Sequence, residues 1–458
     1  MEKLVIKLKQ HTPLIHFQHD QEGATLRASE VKPKLDRYLI ENEFENEFEN
    51  CKMYLIGYEN TPSKESLLKK KFKEGFHSLN YKIKVETKGE KEDFKLQSEC
   101  RIDPRTRKRK YYSYWRRSNN GSTEEFPILL SNMGGKEQES DLINFSFYED
   151  ITITFYTKEK ELSDIISYYI DLFFATNNFG QRSSKGFGSF SIIEINGEKK
   201  EFPFEEFENI YKLSYTSSKN IDLSFQAQLF QSIDFYWKCL KSGINYTRNN
   251  QYPKRYIKAF LWTYLNNKQS TWEKRKIKEY FDLTTGGERN ENTNRASFAR
   301  AILGCPDKFE YKNKGKTISI NHHENPKSPN FIARIPSPIV FKPIIMDAGG
   351  NRHKVIIFLI IEEKAIQRLQ EMNNLDFEFK CQNSTLLLDI DPKIIDVKEL
   401  IKQYHQHIKK ENWGRKAFNN EQEYEEFVDN NDLSVKTWFF PLDFNWRRIL
   451  KSPIIIKK

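Results

Sequence analysis

The stretch Phe179-Gly180-Gln181-Arg182-Ser183-Ser184-Lys185-Gly186-Phe187-Gly188-Ser189-Phe190 lies between a helical pattern and a strand pattern, and its reading decides the fold. Before it, Leu162, Ile165, Ile166, Tyr169, Ile170 and Phe173 keep i, i+3, i+4 spacing, which predicts an amphipathic helix ended by Asn177, Asn178 and Gly180. After it, Phe190 to Ile195 reads as a strand. Gly180, Gly186 and Gly188 permit positive φ and let a backbone approach a ligand closely. Arg182 and Lys185 bring charge to the same spot, and Ser183, Ser184 and Ser189 add hydroxyls. Such a loop suits a phosphate backbone. It lacks the Gly-Lys-Ser/Thr ending of a Walker loop. It also precedes a strand, where a dinucleotide fingerprint opens a helix. The competing reading is a helix-to-strand turn with incidental charge.

Further out, Ile151, Ile153 and Phe155 alternate with Thr152 and Thr154 inside a strand predicted over 145–156. Tyr81 to Val85 predicts a short strand, and the polar residues 86–142 read as an insertion. Leu4, Ile6 and Leu8 alternate with Lys7 and Lys9 as in a half-buried strand. Val31, Leu35, Tyr38 and Leu39 share one helical face, with Pro33 placed in a first turn. The acidic run 41–50 reads as surface. The order strand, helix, strand, strand, helix, strand is the ferredoxin-like arrangement, an antiparallel sheet with two helices on one face.

A chain of 458 residues is expected to form more than one domain. We expect an α+β protein of tandem ferredoxin-like domains with a helical insertion. The first domain spans 1–215, a mainly helical region 216–325, and a second, divergent α+β domain 326–458. In the helical region, residues 229–240, 256–265 and 272–281 carry helical patterns. In the last domain, Val355 to Ile361 and Leu386 to Ile390 read as strands, and Ile394, Val397, Leu400, Ile401 and Tyr404 as a helical face. The apolar share is only 38%, but 35 Phe and 22 Tyr allow a dense core.

Lys and Arg exceed the acids by ten, a modest hint of an anionic partner. The five cysteines, Cys51, Cys100, Cys239, Cys305 and Cys381, are widely spaced, which argues against a disulfide framework or a paired-Cys zinc site and fits a reducing cytoplasm. No signal-peptide core or membrane-length apolar run occurs. No cofactor or metal is expected.

Two further basic segments stand out. Residues 101–117 hold eight cations and four aromatics against the single acid Asp103. Cations neutralise phosphates, and aromatics stack on unpaired bases, which favours single-stranded RNA. The alternative is a charged loop, or a contact to an acidic protein. Arg27, Lys32, Lys34 and Arg37 gather near a helix start, where anions are favoured; a solvated helix face reads equally well.

His11, His16 and His19 lie close together, so an acid/base pair for RNA cleavage can be imagined, but no acidic or Cys partner has ligand spacing. His322, His323, His405 and His407 read as surface residues.

The motifs Thr12-Pro13-Leu14, the helix start with Arg27, Ser29 and Lys32, and above all the Gly-x-Arg-x-x-x-Gly-Phe-Gly pattern of the loop resemble the RAMP superfamily, subunits of CRISPR effector complexes. The resemblance is to the type III, Cmr-type group, and within it to the subunit that caps the backbone at the crRNA 3′ end. It is strongest over residues 1–200. Arg295 to Gly304 looks like a second basic helix start, and Ser337 to Pro343 is similar to the strand that follows it. Gly349-Gly350-Asn351-Arg352 is a poor substitute for a second glycine loop. The resemblance implies tandem ferredoxin-like domains, contact with crRNA and target RNA beside other effector subunits, and no catalysis in the capping subunit. The expected RNA contacts are Gly180, Arg182, Ser183, Ser184, Lys185, Gly186, Phe187 and Gly188 in the loop; Arg27, Ser29, Lys32 and Lys34 at the helix start; and Arg105, Arg107, Lys108, Arg109, Lys110, Tyr112, Trp115, Arg116 and Arg117 in the insertion. Two other classes compete. One is a metal-independent endoribonuclease that processes CRISPR transcripts with a base from the N-terminal histidines. The other is a protein-interaction scaffold.

Overall fold

The computed structural model describes residues 1–15, 25–94, 97–102, 107, 109–114, 116–119, 122–125, 145–217, 221, 223–248, 251–268, 270–283, 296–305, 308–311, 315–322, 335–350, 352–371 and 375–410. They fall into two compact units. The first comprises Met1–Phe230 with Phe341–Phe358, and the second Gln231–Val340 with the described residues from Leu359 onward.

The chain begins with β1 (Glu2–Gln10), α1 (Ala28–Asn42), α2 (Phe48–Cys51), α3 (Pro62–Lys73) and β2 (Tyr81–Phe94). Four short strands follow: β3 (Gln97–Ile102), β4 (Arg109–Tyr114), β5 (Arg116–Asn119) and β6 (Ser122–Glu125). Then come β7 (Phe145–Thr157), α4 (Lys160–Thr176), β8 (Phe190–Ile195), β9 (Glu198–Lys199), β10 (Lys212–Ser217) and α5 (Leu223–Trp237). Next are β11 (Ile244–Arg248), β12 (Gln251–Ile257), α6 (Phe260–Asn267), β13 (Thr271–Trp272), α7 (Lys274–Tyr280), β14 (Ala296–Ser297), β15 (Lys308–Tyr311) and β16 (Lys316–His322). The last are β17 (Ile339–Asp347), β18 (His353–Ile361), α8 (Glu363–Gln370), β19 (Leu375–Cys381), β20 (Ser384–Ile390) and α9 (Val397–Lys410).

In the first unit the sheet order is β2-β7-β1-β8-β9, antiparallel throughout. With α1 and α4 between the strands, this is the ferredoxin-like order. Its cause is the alternation in β1 and β7. Leu4, Ile6 and Leu8 stand opposite Phe155, Ile153 and Ile151, and all six are buried. Val31, Leu35 and Leu39 of α1 and Leu162, Ile166, Ile170 and Phe173 of α4 close over them. Each such side chain contributes about 1.5–3 kcal/mol on burial. A second sheet of this unit has the order β10-β18-β17.

Several expectations change here. The short strand at Tyr81 is a 14-residue strand, because β7 is long enough to pair with it from Tyr81 to Phe94. The insertion carries two hairpins, β3–β4 and β5–β6. The acidic run 41–50 is not wholly surface: Phe44 and Phe48 are buried in the core and only its polar residues face solvent. Helix α3, bounded by Pro62 at its first turn, was not anticipated. Pro33 sits one turn deeper than the first, since α1 already begins at Ala28.

In the second unit, β15-β16-β19-β20 form an antiparallel sheet. Phe298 meets Phe377 and Phe379 edge-on at 4.8 and 4.9 Å over it. Residues 216–325 hold α5, α6 and α7 but also strands, and Tyr256 begins no helix because 251–257 pairs with β11. Arg295 to Gly304 does not repeat the α1 start. Its described part is β14 and a single 3-10 turn, Ala299–Leu303, whose Arg300 pairs with the fully buried Glu273. His405 is buried, not superficial, and its Nε2 lies 2.9 Å from the Tyr236 hydroxyl. Cys51, Cys239, Cys305 and Cys381 are buried and lie outside any disulfide.

Candidate nucleic-acid interface

Helix α4 ends at Thr176, and the loop returns to β8 through an isolated bridge between Asn178 and Ser189. Inside it, Arg182 takes a left-handed conformation (φ 56°), Ser183–Lys185 make one 3-10 turn, and Gly186 reverses the chain with φ 93°. A left-handed non-glycine residue persists only where its surroundings over-determine it. Here they do, because the loop is tied to the segment after β1. Gln181 N–H donates to Ile15 O (2.8 Å), Gly188 N–H to Pro13 O (2.9 Å) and His11 N–H to Ser189 O (2.8 Å). The Thr12 hydroxyl donates to Gly186 O (2.6 Å) and accepts from Ser189 N–H (2.9 Å).

Two of the glycines serve this internal fit. A Cβ on Gly188 would lie 1.9 Å from the Phe179 carbonyl oxygen, and one on Gly180 2.5 Å from Ile15 O. The close approach expected toward a ligand is, at these two positions, an approach to the protein's own backbone. Phe187 is likewise committed: it is fully buried and stacks on Phe230 with centroids 4.0 Å apart. It is not placed to stack on a base.

The loop also meets α1. Gly180 N–H donates to the Glu30 carboxylate in the first turn of that helix. Lys34 Nζ donates to Asn178 O (2.8 Å) and lies 4.8 Å from the Phe179 ring centroid. Lys32 Nζ reaches Asp36, Leu79 O and the Tyr81 ring face. Both lysines therefore spend their amines on internal partners. Arg27, at the N-cap of α1, is half-buried, and Ser29 is exposed.

Beneath the loop lies Lys342, which the sequence reading did not assign a role. It is fully buried, and its amine donates to Asn177 O (2.8 Å) and Phe190 O (2.7 Å). Burial pulls its pKa well below 10.5, with Lys34 adding in the same direction. Asn178 bridges the same elements, donating to Ser183 O (2.8 Å) and Phe341 O (2.7 Å). The one sequence signal for Lys342 is a lone cation in the apolar run Ile339-Val340-Phe341-Lys342-Pro343-Ile344-Ile345.

What remains toward solvent is the turn Arg182-Ser183-Ser184-Lys185, each residue half-exposed, with Lys185 Nζ 6.0 Å from the Phe341 ring centroid. Two cations and two hydroxyls thus crown a backbone that is fixed from below.

In the insertion, the register sets Arg101 opposite Lys110, Arg116 opposite Glu125 and Arg117 opposite Glu124. Arg109 and Tyr112 lie in β4, and Arg107 is exposed with a positive φ. Arg105, Lys108 and Trp115 lie outside the described residues.

His11 is fully buried. Its Nδ1 accepts from Ile345 N–H (3.0 Å), so Nε2 carries the proton and donates to the Ser191 hydroxyl (2.8 Å). Burial first, then Lys9 and Lys342, hold its pKa well below 6.5. It is a structural group with both nitrogens occupied, not a base presented to a substrate. His16 and His19 lie outside the described residues. Among the described residues no helix is long and apolar enough to cross a membrane.

Residues 1–244 match the Cmr1 N-terminal domain family and residues 256–427 the Cmr1 C-terminal domain family. Similar solved structures include Cmr1 from Pyrococcus furiosus in its apo form, with 10% identity, 79% of this chain and 88% of that chain covered, and a TM-score of 0.34. A chain of the type III-B Cmr-beta complex bound to cognate target RNA is 12% identical, with 78% and 94% covered and a TM-score of 0.32. No curated protein matches the sequence. The assignment rests on the two domain matches, which together span most of the sequence: the chain belongs to the Cmr1 family, Cmr-type RAMP subunits of type III CRISPR effector complexes.

Proposed function

We propose that this chain is a non-catalytic RNA-binding subunit of its effector complex, contacting crRNA, target RNA or both at the Arg182–Lys185 turn. The supporting observation is the division of labour within the loop. Gly180, Phe187, Gly188 and the Thr12 hydroxyl hold the backbone, while Arg182, Ser183, Ser184 and Lys185 stay half-exposed above it. A backbone fixed in advance loses little freedom when the cations it carries meet phosphates. Arg27 and Ser29 at the adjoining start of α1 extend this surface, and Arg107, Arg109, Lys110, Tyr112, Arg116 and Arg117 of the insertion are further contacts for guide or target RNA. The position that fits such a role is the cap of the subunit backbone at the crRNA 3′ end, beside other effector subunits.

The test is RNA binding across a salt series. Each single-strand phosphate contact contributes about 0.7 to the slope of log affinity against log salt, so Arg182→Ala/Lys185→Ala lowers it by about 1.4. Unchanged affinity and slope in a folded variant would remove the turn from the interface. An endoribonuclease based on His11 is disfavoured by the burial and bonding of that ring.

A further inference from the structure

The ferredoxin-like sheet of the first unit has two faces, and α1 and α4 cover one of them. Side chains alternate along a strand. Leu4, Ile6, Leu8, Phe155, Ile153 and Ile151 fill the covered face, so the residues between them belong to the other. On that outer face Tyr156 stands between Lys3 of β1 and Lys82 of β2. In the next row Thr154 stands between Val5 and Lys84, and beyond it Thr152 stands between Lys7 and Glu86. Lys3, Lys82 and Lys84 are exposed and Tyr156 is half-exposed.

The charges on this face are not all neutralised. Lys7 is paired with Glu194 and Lys84 with Glu86, each at 2.8 Å. Among the described residues no ion pair engages Lys3 or Lys82, the two cations that flank Tyr156. Their field is shared across the strands. Glu86 is held below its ordinary carboxylate range first by the hydrogen bond from Lys84, and Lys88 and Lys3 act on it as well.

Neighbouring strands lie about 4.8 Å apart, so the ring has one ammonium arm within reach on each side. A half-exposed aromatic ring between two exposed cations matches an unpaired nucleotide: the ring stacks on a base of any identity while the cations meet phosphates. An acidic protein surface would satisfy the lysines but leave the ring without a role. We infer that the outer face of this sheet is a second contact for single-stranded RNA, with Tyr156 as stacking platform and Lys3 and Lys82 on the flanking phosphates. This surface is separate in sequence from the glycine loop, and the inference does not rest on the loop's role.

The experiment is fluorescence anisotropy of a labelled oligouridine with the full chain, over a salt series. Lys3→Gln/Lys82→Gln lowers the salt slope by about 1.4. Tyr156→Ser weakens binding about tenfold at fixed salt and leaves the slope unchanged, because stacking releases no counterions. Tyr156→Phe, which keeps the ring and the packing, binds as the unaltered protein does. Thermal melts confirm folding, and if Tyr156→Ser melts early the lysine pair and the Phe variant still decide. Wild-type affinity and slope in folded Lys3→Gln/Lys82→Gln overturn the inference, including the case in which that variant loses only a co-purifying protein. The loop is read out separately: Arg182→Ala/Lys185→Ala unchanged while the sheet variants weaken removes the loop and retains the sheet.

Discussion

The hydroxyl of Thr12 donates to the carbonyl of Gly186 across 2.6 Å, joining residues 174 apart in sequence. The same oxygen accepts from Ser189 N–H at 2.9 Å. One buried side chain therefore satisfies both ends of the Gly186–Ser189 segment. Thr12→Val keeps the shape but leaves a buried carbonyl and a buried N–H unpaired. The expected cost is about 1–3 kcal/mol for each orphaned group, partly relieved by relaxation. Urea unfolding monitored by fluorescence measures it. RNA affinity is expected to fall with it, because the turn above loses its support.

Gly188 tests the close packing more severely. Alanine there meets the Phe179 carbonyl at 1.9 Å and a φ of +64°. The left-handed backbone alone costs about 1–2 kcal/mol, and overpacking adds about 1–3 kcal/mol. Gly197 is the control: its φ is +89°, but nothing lies within 4 Å of a Cβ. Gly197→Ala is expected to show only the backbone cost, and Gly188→Ala roughly twice that or more, in the same urea titration.

Two buried bases give stability a pH dependence of defined sign. His11 stays neutral in the fold with its pKa well below 6.5. As pH falls through about 6.5 the unfolded chain takes up a proton that the folded chain refuses, so stability drops toward acid. His11→Gln flattens that limb. The Lys342 pKa is lowered from 10.5, so between its folded value and 10.5 the unfolded chain again holds more protons, and stability rises with pH. Lys342→Met removes that rise and lowers stability at alkaline pH, since Asn177 O and Phe190 O lose their donor. Urea midpoints at about pH 5, 7 and 9 separate the two variants, the first differing in the acid limb and the second in the alkaline limb.

Much of the first unit was legible because its signals are local. The alternation of Leu4, Ile6 and Leu8, the periodic face from Leu162 to Phe173 and the glycine-rich return into Phe190 each depend on neighbours a few residues away. The extent of β2 was not legible, since Lys88 to Phe94 look polar alone and become strand only by pairing with β7. Phe44 and Phe48 were hidden in the same way, inside an acidic repeat that looks like surface. The candidate site was legible as a place but not as a set of roles. Lys32 and Lys34 read as cations for a ligand, yet carbonyl oxygens take their amines. Phe187 read as part of a binding loop, yet Phe230 takes its face.

The sequence by itself determined the strand-helix-strand-strand-helix-strand core of the first sheet, the position of the glycine loop and the concentration of charge around it, because backbone propensity and periodicity act over a few residues. Only the tertiary structure decided which of those residues face outward. A lysine has the same chemistry in every loop; whether it holds its own protein or meets a phosphate depends on which carbonyls surround it after the chain closes. Lys342 shows this most clearly, as Asn177 and Phe190 reach it from more than 150 positions away.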